Sequence, residues 1–253
     1  MVPTNKFMRV ELKERIDFSP DLACFRFEPE EPVSFIPGQY ATLGLERKED
    51  GKFIPRAYSI VSSPHEPILE FFIELVPEGQ LTPLIWKLKP GDYMWMRRKI
   101  VGRFVLDRES GLRRHLMAAT VTGIAPFLSM VRTQIIDLKE GRQEEPYEMA
   151  ILHGASRSWE LGIYLDELRT LEKAHDWLTY VPTVSRPWED AAWQGEVGRV
   201  DDIIRKYADN LDFVAGKTVA YACGHPNMIE HVQSILRRAR FEKEHFREEK
   251  YFT

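Results

Sequence analysis

The spacing of apolar residues changes period once along this 253-residue chain, and that change limits the fold more than any other feature. Up to about residue 108 the pattern is short and period-two. Phe7-Met8-Arg9-Val10-Glu11-Leu12, Leu22-Ala23-Cys24-Phe25-Arg26-Phe27 and Leu69-Glu70-Phe71-Phe72-Ile73-Glu74-Leu75 read as strands. Pro32, Pro37-Gly38, Asp50-Gly51, Ser63-Pro64, Pro77-Glu78-Gly79 and Pro90-Gly91 punctuate them with turns. Short strands divided by turns predict a closed antiparallel barrel, interrupted by one short helix around Leu81 to Leu88.

From about residue 114, strand-like and helix-like stretches alternate. Apolar runs at His115 to Thr120, Tyr147 to His153, Leu178 to Val184 and Thr218 to Cys223 are strand candidates. Helical stretches follow them at Ile124 to Leu138, Glu160 to Lys173, Val200 to Tyr207 and Pro226 to Arg240. Such alternation predicts a parallel sheet covered by helices, and phosphate-bearing ligands of these sheets bind beyond the carboxyl ends of the strands. The boundary is expected in the charged stretch from Asp107 to Arg114, around Gly111.

Composition narrows the function. The net charge of −4 does not favour nucleic acid as a partner. The two cysteines, Cys24 and Cys223, exclude a disulfide framework and a four-cysteine cluster. No apolar run has the length of a membrane span, and the first residues show no secretory signal, so a cytoplasmic enzyme with no membrane contact is expected. Local basic groups remain, of which Arg97-Arg98-Lys99 could dock an acidic protein.

Four segments carry chemistry. Arg56-Ala57-Tyr58-Ser59 places a cation and an aromatic ring on one face of an extended segment, roughly 6.5–7 Å apart. A flavin nucleotide needs that pair: a guanidinium fork for its phosphates and an aromatic face for its ring. Thr120-Val121-Thr122-Gly123-Ile124-Ala125-Pro126-Phe127 leaves a strand and enters a helix, with small residues where an anion could approach backbone amides. Ser185-Arg186 and Arg199, with Ser156-Arg157 after the preceding strand, offer cations suited to a 2′-phosphate. Cys223-Gly224-His225-Pro226 forms a further strand-to-helix junction. It reads as a close-packed backbone turn rather than a metal site, because no set of three or four ligands is complete.

These segments, with Pro77-Glu78-Gly79-Gln80-Leu81-Thr82 and the ending Glu249-Lys250-Tyr251-Phe252-Thr253, occur in an order that resembles the bacterial branch of the plant-type ferredoxin–NADP reductases. The resemblance covers essentially the whole chain. It implies an antiparallel Greek-key β-barrel binding FAD in residues 1–110, then a Rossmann-like parallel-sheet domain binding NADP(H) in 111–253, with the flavin in the cleft between them. It implies that Arg56 holds the FAD pyrophosphate, Tyr58 packs on the isoalloxazine and Ser59 hydrogen-bonds near its N5, with Ala57 beside them. Phe72, Ile73, Glu74 and Leu75 match a second flavin-contacting strand, and Gln80, Leu81 and Thr82 a helix start. Thr122 matches the flavin–nicotinamide junction, which Gly224, His225 and Pro226 also border. Ser156, Arg157, Ser185, Arg186 and Arg199 match the 2′-phosphate site. Tyr251 and Phe252 match the C-terminal lid over the flavin. Val121 stands where the family usually has glycine, and Thr253 extends past the usual terminal aromatic.

The implied activity is electron transfer between NADPH and ferredoxin or flavodoxin through FAD, by a monomer that uses no metal. Two other functions fit the same residues: a cluster-free reductase component of an oxygenase, and an interaction module that binds no flavin.

Overall fold

Two six-stranded sheets, one antiparallel and one parallel, organise the computed structural model, which describes residues 2–251. By internal contacts the chain divides into two compact units. One takes in the residues up to Leu106 together with Ala125–Ile136; the other takes in Asp107–Ile124 and Asp137 onward.

The strands of the first unit are β1 (Phe7–Ser19), β2 (Leu22–Pro29), β3 (Tyr40–Glu46), β4 (Phe53–Ser59), β5 (Leu69–Glu74) and β6 (Tyr93–Arg97). They lie in the order β4-β3-β6-β1-β2-β5. The segment after β4 curls over to β5, where the Val61 amide donates to the Glu70 carbonyl (2.9 Å) and the Glu70 amide donates to Ser62 Oγ (3.1 Å). The two ends of the sheet are thereby joined, as barrel closure requires. Inside lie Val10, Leu12, Phe25, Phe27, Leu43, Ile54, Phe71 and Met96, every one buried. Each large side chain removed from water in this way contributes roughly 1.5–3 kcal/mol.

The short helix of this unit is a single turn, α1 (Thr82–Ile85), rather than the stretch from Leu81 to Leu88. Beyond it the Lys87 amide bonds to the Leu84 carbonyl, three residues back, and the chain then turns at Lys89 and Asp92. Helix α2 (Ala125–Lys139) is anchored to the barrel residues by its polar side chains. Ser129 Oγ donates to the Ser62 carbonyl (2.8 Å), Thr133 Oγ1 bonds Ser63 Oγ (3.0 Å), and Arg132 reaches Glu70 (3.1 Å).

The second unit is built on β7 (Arg114–Thr120), β8 (Glu148–Ala155), β9 (Leu178–Val184), β10 (Glu196–Val197), β11 (Thr218–Gly224) and β12 (Phe246–Lys250). The order is β10-β9-β8-β7-β11-β12, with every pair parallel. Its helices are α3 (Tyr164–Ala174), α4 (Val200–Asn210) and α5 (Pro226–Arg238). The helix expected from Glu160 to Lys173 is split: a 3-10 turn at Ser158–Leu161 ends at Gly162, and α3 starts after it. Strand β12 pairs in register with β11, from Ala220↔Phe246 to Gly224↔Lys250. Among the described residues no helix is long and apolar enough to cross a membrane.

One core position of this sheet is chemically costly. His115, near the start of β7, is fully buried between the rings of Tyr147 (5.1 Å) and Tyr221 (5.6 Å). Neither ring nitrogen has a hydrogen-bond partner among the described residues. Burial pushes its pKa from 6.5 down to about 4, opposed by the nearby Asp107 carboxylate. Between those values the unfolded chain binds a proton that the native state excludes. Stability is therefore full above pH 6.5 and falls as the pH drops toward 4, by on the order of 3 kcal/mol for this residue. We expect His115→Phe, which keeps a ring between the two tyrosines, to flatten the decline in urea midpoint between pH 7 and pH 5. An unchanged decline would assign the acid sensitivity elsewhere.

Candidate functional site

In the barrel unit the sequence-derived residues gather on β4 and on the turn that precedes α1. Among the described residues strand β4 pairs with β3, in a register running from Tyr40↔Ser59 to Glu46↔Phe53, and lies last in the order of the sheet. Alternation puts Ile54, Arg56 and Tyr58 on one face. Ile54 is in the core and Tyr58 packs half-buried against it, its hydroxyl pKa pushed up by burial. Arg56 is exposed, and its Nη1 donates to the neighbouring Pro55 carbonyl (2.8 Å). No acidic side chain is paired with this guanidinium among the described contacts. Ala57 is exposed and Ser59 is buried.

On the second strand, Phe72 and Ile73 are buried; Ile73 belongs to the core and can offer a ligand only its backbone. Glu74 is exposed, and the Leu75 amide is taken by the Asp21 carbonyl (2.7 Å). Thr82 is not free to meet a ligand through its hydroxyl: Oγ1 accepts from the Val76 amide (3.0 Å) and donates to the Val76 carbonyl (3.1 Å). That clamp fixes the turn at Pro77-Glu78-Gly79, leaving Gln80 exposed and Leu81 buried.

In the second unit the expected residues lie at the carboxyl ends of β7, β8, β9 and β11, where a parallel sheet presents its ligand site. Two turns there touch through their backbones. A side chain on Gly123 would stand 2.3 Å from the Cys223 carbonyl oxygen. Gly224 adopts φ 123°, a conformation closed to other residues, and a side chain on it would strike Thr120 Oγ1 at 2.2 Å. Thr120 Oγ1 also accepts from the His225 amide (2.9 Å), and the Tyr251 amide donates to the Gly224 carbonyl (2.9 Å). The lack of a side chain at Gly123 thus lets the two turns meet at backbone distance. Cys223 is buried and its thiol pKa is raised by burial; among the described residues no group of three or more His, Cys, Asp or Glu could hold a metal ion.

Between the two glycine contacts the chain is strained. Val121, a β-branched residue, has φ 43°. Its carbonyl accepts from His153 Nε2 (2.9 Å), while His153 Nδ1 meets the Tyr180 hydroxyl (3.2 Å). A carbonyl can only accept, so His153 carries its proton on Nε2 and the tyrosine donates to Nδ1. The ring is fully buried and its pKa is lowered to about 4, which keeps it neutral. This relay of Tyr180, His153 and Val121 holds the turn that carries Thr122, and no local motif reveals it.

The cations are also placed together, but they have company. Ser185 and Arg186 pair back to β8, through Ser185 N to Ala155 O (3.0 Å) and Arg186 N to Ser156 O (2.9 Å). Gly198, beside Arg199, bonds the Val184 carbonyl (3.0 Å). Arg157 is held by Glu160 (3.0 Å) and by Glu189, whose Oε2 accepts from its Nε (2.7 Å) and its Nη2. Glu160 also accepts from the Ser156 and Arg157 amides (2.7 and 3.1 Å). Arg199 is paired with Asp201 (3.2 Å). These carboxylates were missed in the sequence; the short spacings Arg157–Glu160, Arg186–Glu189 and Arg199–Asp201 are their local signal. Phe252 lies outside the described residues.

Comparison with known proteins bears on what this arrangement serves. Residues 9–104 match the model of an oxidoreductase FAD-binding domain, and residues 117–234 match that of an oxidoreductase NAD-binding domain. The chain is 30% identical to a flavodoxin/ferredoxin–NADP reductase of Buchnera aphidicola over 220 residues, 85% of each chain. It is 32% identical to the corresponding Escherichia coli protein over 217 residues, 83% of each. The crystal structure of a ferredoxin NADP+ reductase from Neisseria gonorrhoeae with bound FAD and NADP superposes with a TM-score of 0.83 at 25% identity, covering 98% of this chain and 99% of that one.

The backbone contact between the two turns makes a direct prediction. Gly123 does not need a positive φ, so alanine there is opposed by the Cys223 carbonyl and the Gly224 Cα rather than by backbone strain. We expect Gly123→Ala to cost roughly 1–3 kcal/mol, read as a lowered urea midpoint. A midpoint equal to that of the parent would mean that the turns part without cost.

Proposed function

Because this chain belongs to the flavodoxin/ferredoxin–NADP reductase family, we propose that it transfers electrons between NADP(H) and a one-electron carrier protein, with FAD bound to its barrel. We assign residues 1–110 to FAD and 111–253 to the nicotinamide coenzyme. FAD, when bound, takes two electrons from the coenzyme and releases them singly, which a carrier protein requires.

The observation that carries this reading is the exposed Arg56 on β4, which shares a face with Tyr58 and whose guanidinium, among the described residues, is engaged by its own neighbour's carbonyl. A pyrophosphate would take the free donors of Arg56 in a charge-assisted fork. Tyr58, already packed against the core, would offer a ring fixed in orientation, and Ser59 a hydroxyl at the end of the same strand. In the second unit, Thr122 sits on the turn held by His153, and the arginines beyond β8 and β9 suit a coenzyme bearing a 2′-phosphate. We read Arg186 and Arg199 as the residues favouring NADPH over NADH. The carrier is ferredoxin or flavodoxin, and the exposed Arg97, Arg98 and Lys99 give an acidic partner a surface to meet.

Removing the Arg56 fork tests the assignment. Its loss should cost roughly 1.5–3 kcal/mol of binding, or about tenfold to a hundredfold in FAD affinity. Equilibrium dialysis of Arg56→Ala against FAD measures this, with an unchanged urea midpoint showing that the exposed side chain does not support the fold. Undiminished affinity would refute the role.

A further inference from the structure

Two of the arginines placed at the coenzyme site share one carboxylate. Glu189 lies on the 3-10 turn Pro187–Glu189, just beyond β9. Its Oε2 accepts from Arg157 Nε (2.7 Å) and Nη2, and its Oε1 stands 3.8 Å from Arg186 Nη1. The next residue, Asp190, accepts from the Ser158 amide (2.8 Å), so this turn is strapped to the one that carries Arg157. Arg199 is likewise paired with a carboxylate, that of Asp201 (3.2 Å). Three guanidinium groups thus face Glu160, Glu189 and Asp201 rather than a field of uncompensated positive charge.

We propose that Glu189 is the coenzyme-discriminating residue of this chain, a built-in anion occupying the place between Arg157 and Arg186 that a phosphate monoester must take. The proposal rests on the coenzyme assignment above and deepens it. A phosphate dianion is bound by exchange: the carboxylate leaves the two guanidinium groups and is rehydrated, and the phosphate oxygens take over the N–H donors of Arg157 and the charge of Arg186. If Glu189 stayed, it would repel the dianion at close range. A ribose without the phosphate requires no exchange, because the carboxylate can accept from its 2′-hydroxyl. Glu189 therefore penalises the phosphorylated coenzyme and favours the unphosphorylated one, and the chain's preference for NADPH is smaller than its arginines alone would set. Glu189 is 35% exposed at its side chain and lies at the rim of the turn, so it can swing outward without unpacking the sheet.

Calorimetric titration with 2′,5′-ADP and with 5′-AMP at low ionic strength reads the effect without electron transfer. Glu189→Gln keeps the shape and removes the charge. We expect it to tighten 2′,5′-ADP by about tenfold while 5′-AMP stays within about threefold of the native value, so that the ratio of the two affinities rises. Added salt should shrink that rise. Glu189→Asp, which retains the charge, should keep the native ratio; a purely structural role for the strap would alter both nucleotides alike. A ratio unchanged by Glu189→Gln, with the native chain still preferring 2′,5′-ADP, overturns the proposal and leaves the coenzyme assignment standing. A native chain that binds neither nucleotide overturns both.

Discussion

The carbonyl of Cys223 occupies the space that a side chain on Gly123 would need, and the site in the parallel sheet depends on that contact. Strands β7 and β11 are neighbours, paired from Thr218↔Arg114 to Cys223↔Ala119, and the turns leaving them cross at backbone distance. Thr120 ties the crossing through the His225 amide, and Tyr251 ties β12 to the same place. With two glycines removing the side chains, the turns form one packed unit from which α2 and α5 begin. Hydrogen bonds of this kind contribute modestly one by one; their geometry fixes where the next residues point.

The strain at Val121 follows from the same crossing. A β-branched residue at φ 43° persists only where its surroundings hold it, and here the holding group is a buried, neutral histidine oriented by a tyrosine from β9. Three strands of the sheet thereby contribute to one peptide orientation. The barrel works in the opposite way. Arg56 is exposed on β4 with few commitments, whereas Arg157, Arg186 and Arg199 are each balanced by a carboxylate. One unit presents an exposed cation, and the other a set of ion pairs.

Much of this was legible in the sequence, for physical reasons. The period-two and alternating halves gave the two sheets, and the strand from Leu178 to Val184 has the bounds its apolar run indicated. Short apolar strands buried on both faces are hard to mistake when helices separate them. Membership in the reductase family was carried by segments at strand ends, where backbone chemistry limits the choice of residue. What escaped was of two kinds, local turns of the backbone and contacts between residues distant in sequence. The split at Gly162 and the single turn of α1 depend on local backbone hydrogen bonding that apolar spacing does not record. Glu189 and Arg157 are 32 residues apart, and His153 meets Val121 and Tyr180 across 32 and 27 residues. Only the register of β8 against β7 and β9 brings those groups together.

As a member of the flavodoxin/ferredoxin–NADP reductase family, this chain carries electrons between NADP(H) and a carrier protein through FAD. The most direct measurement follows the visible absorbance of the purified protein in a stopped-flow instrument, after identification of the released cofactor by mass spectrometry. The released cofactor should be FAD, bleached by NADPH faster than by NADH, with the colour returning when oxidised ferredoxin or flavodoxin is added. A protein that binds no FAD, or whose flavin NADPH leaves oxidised, would contradict it.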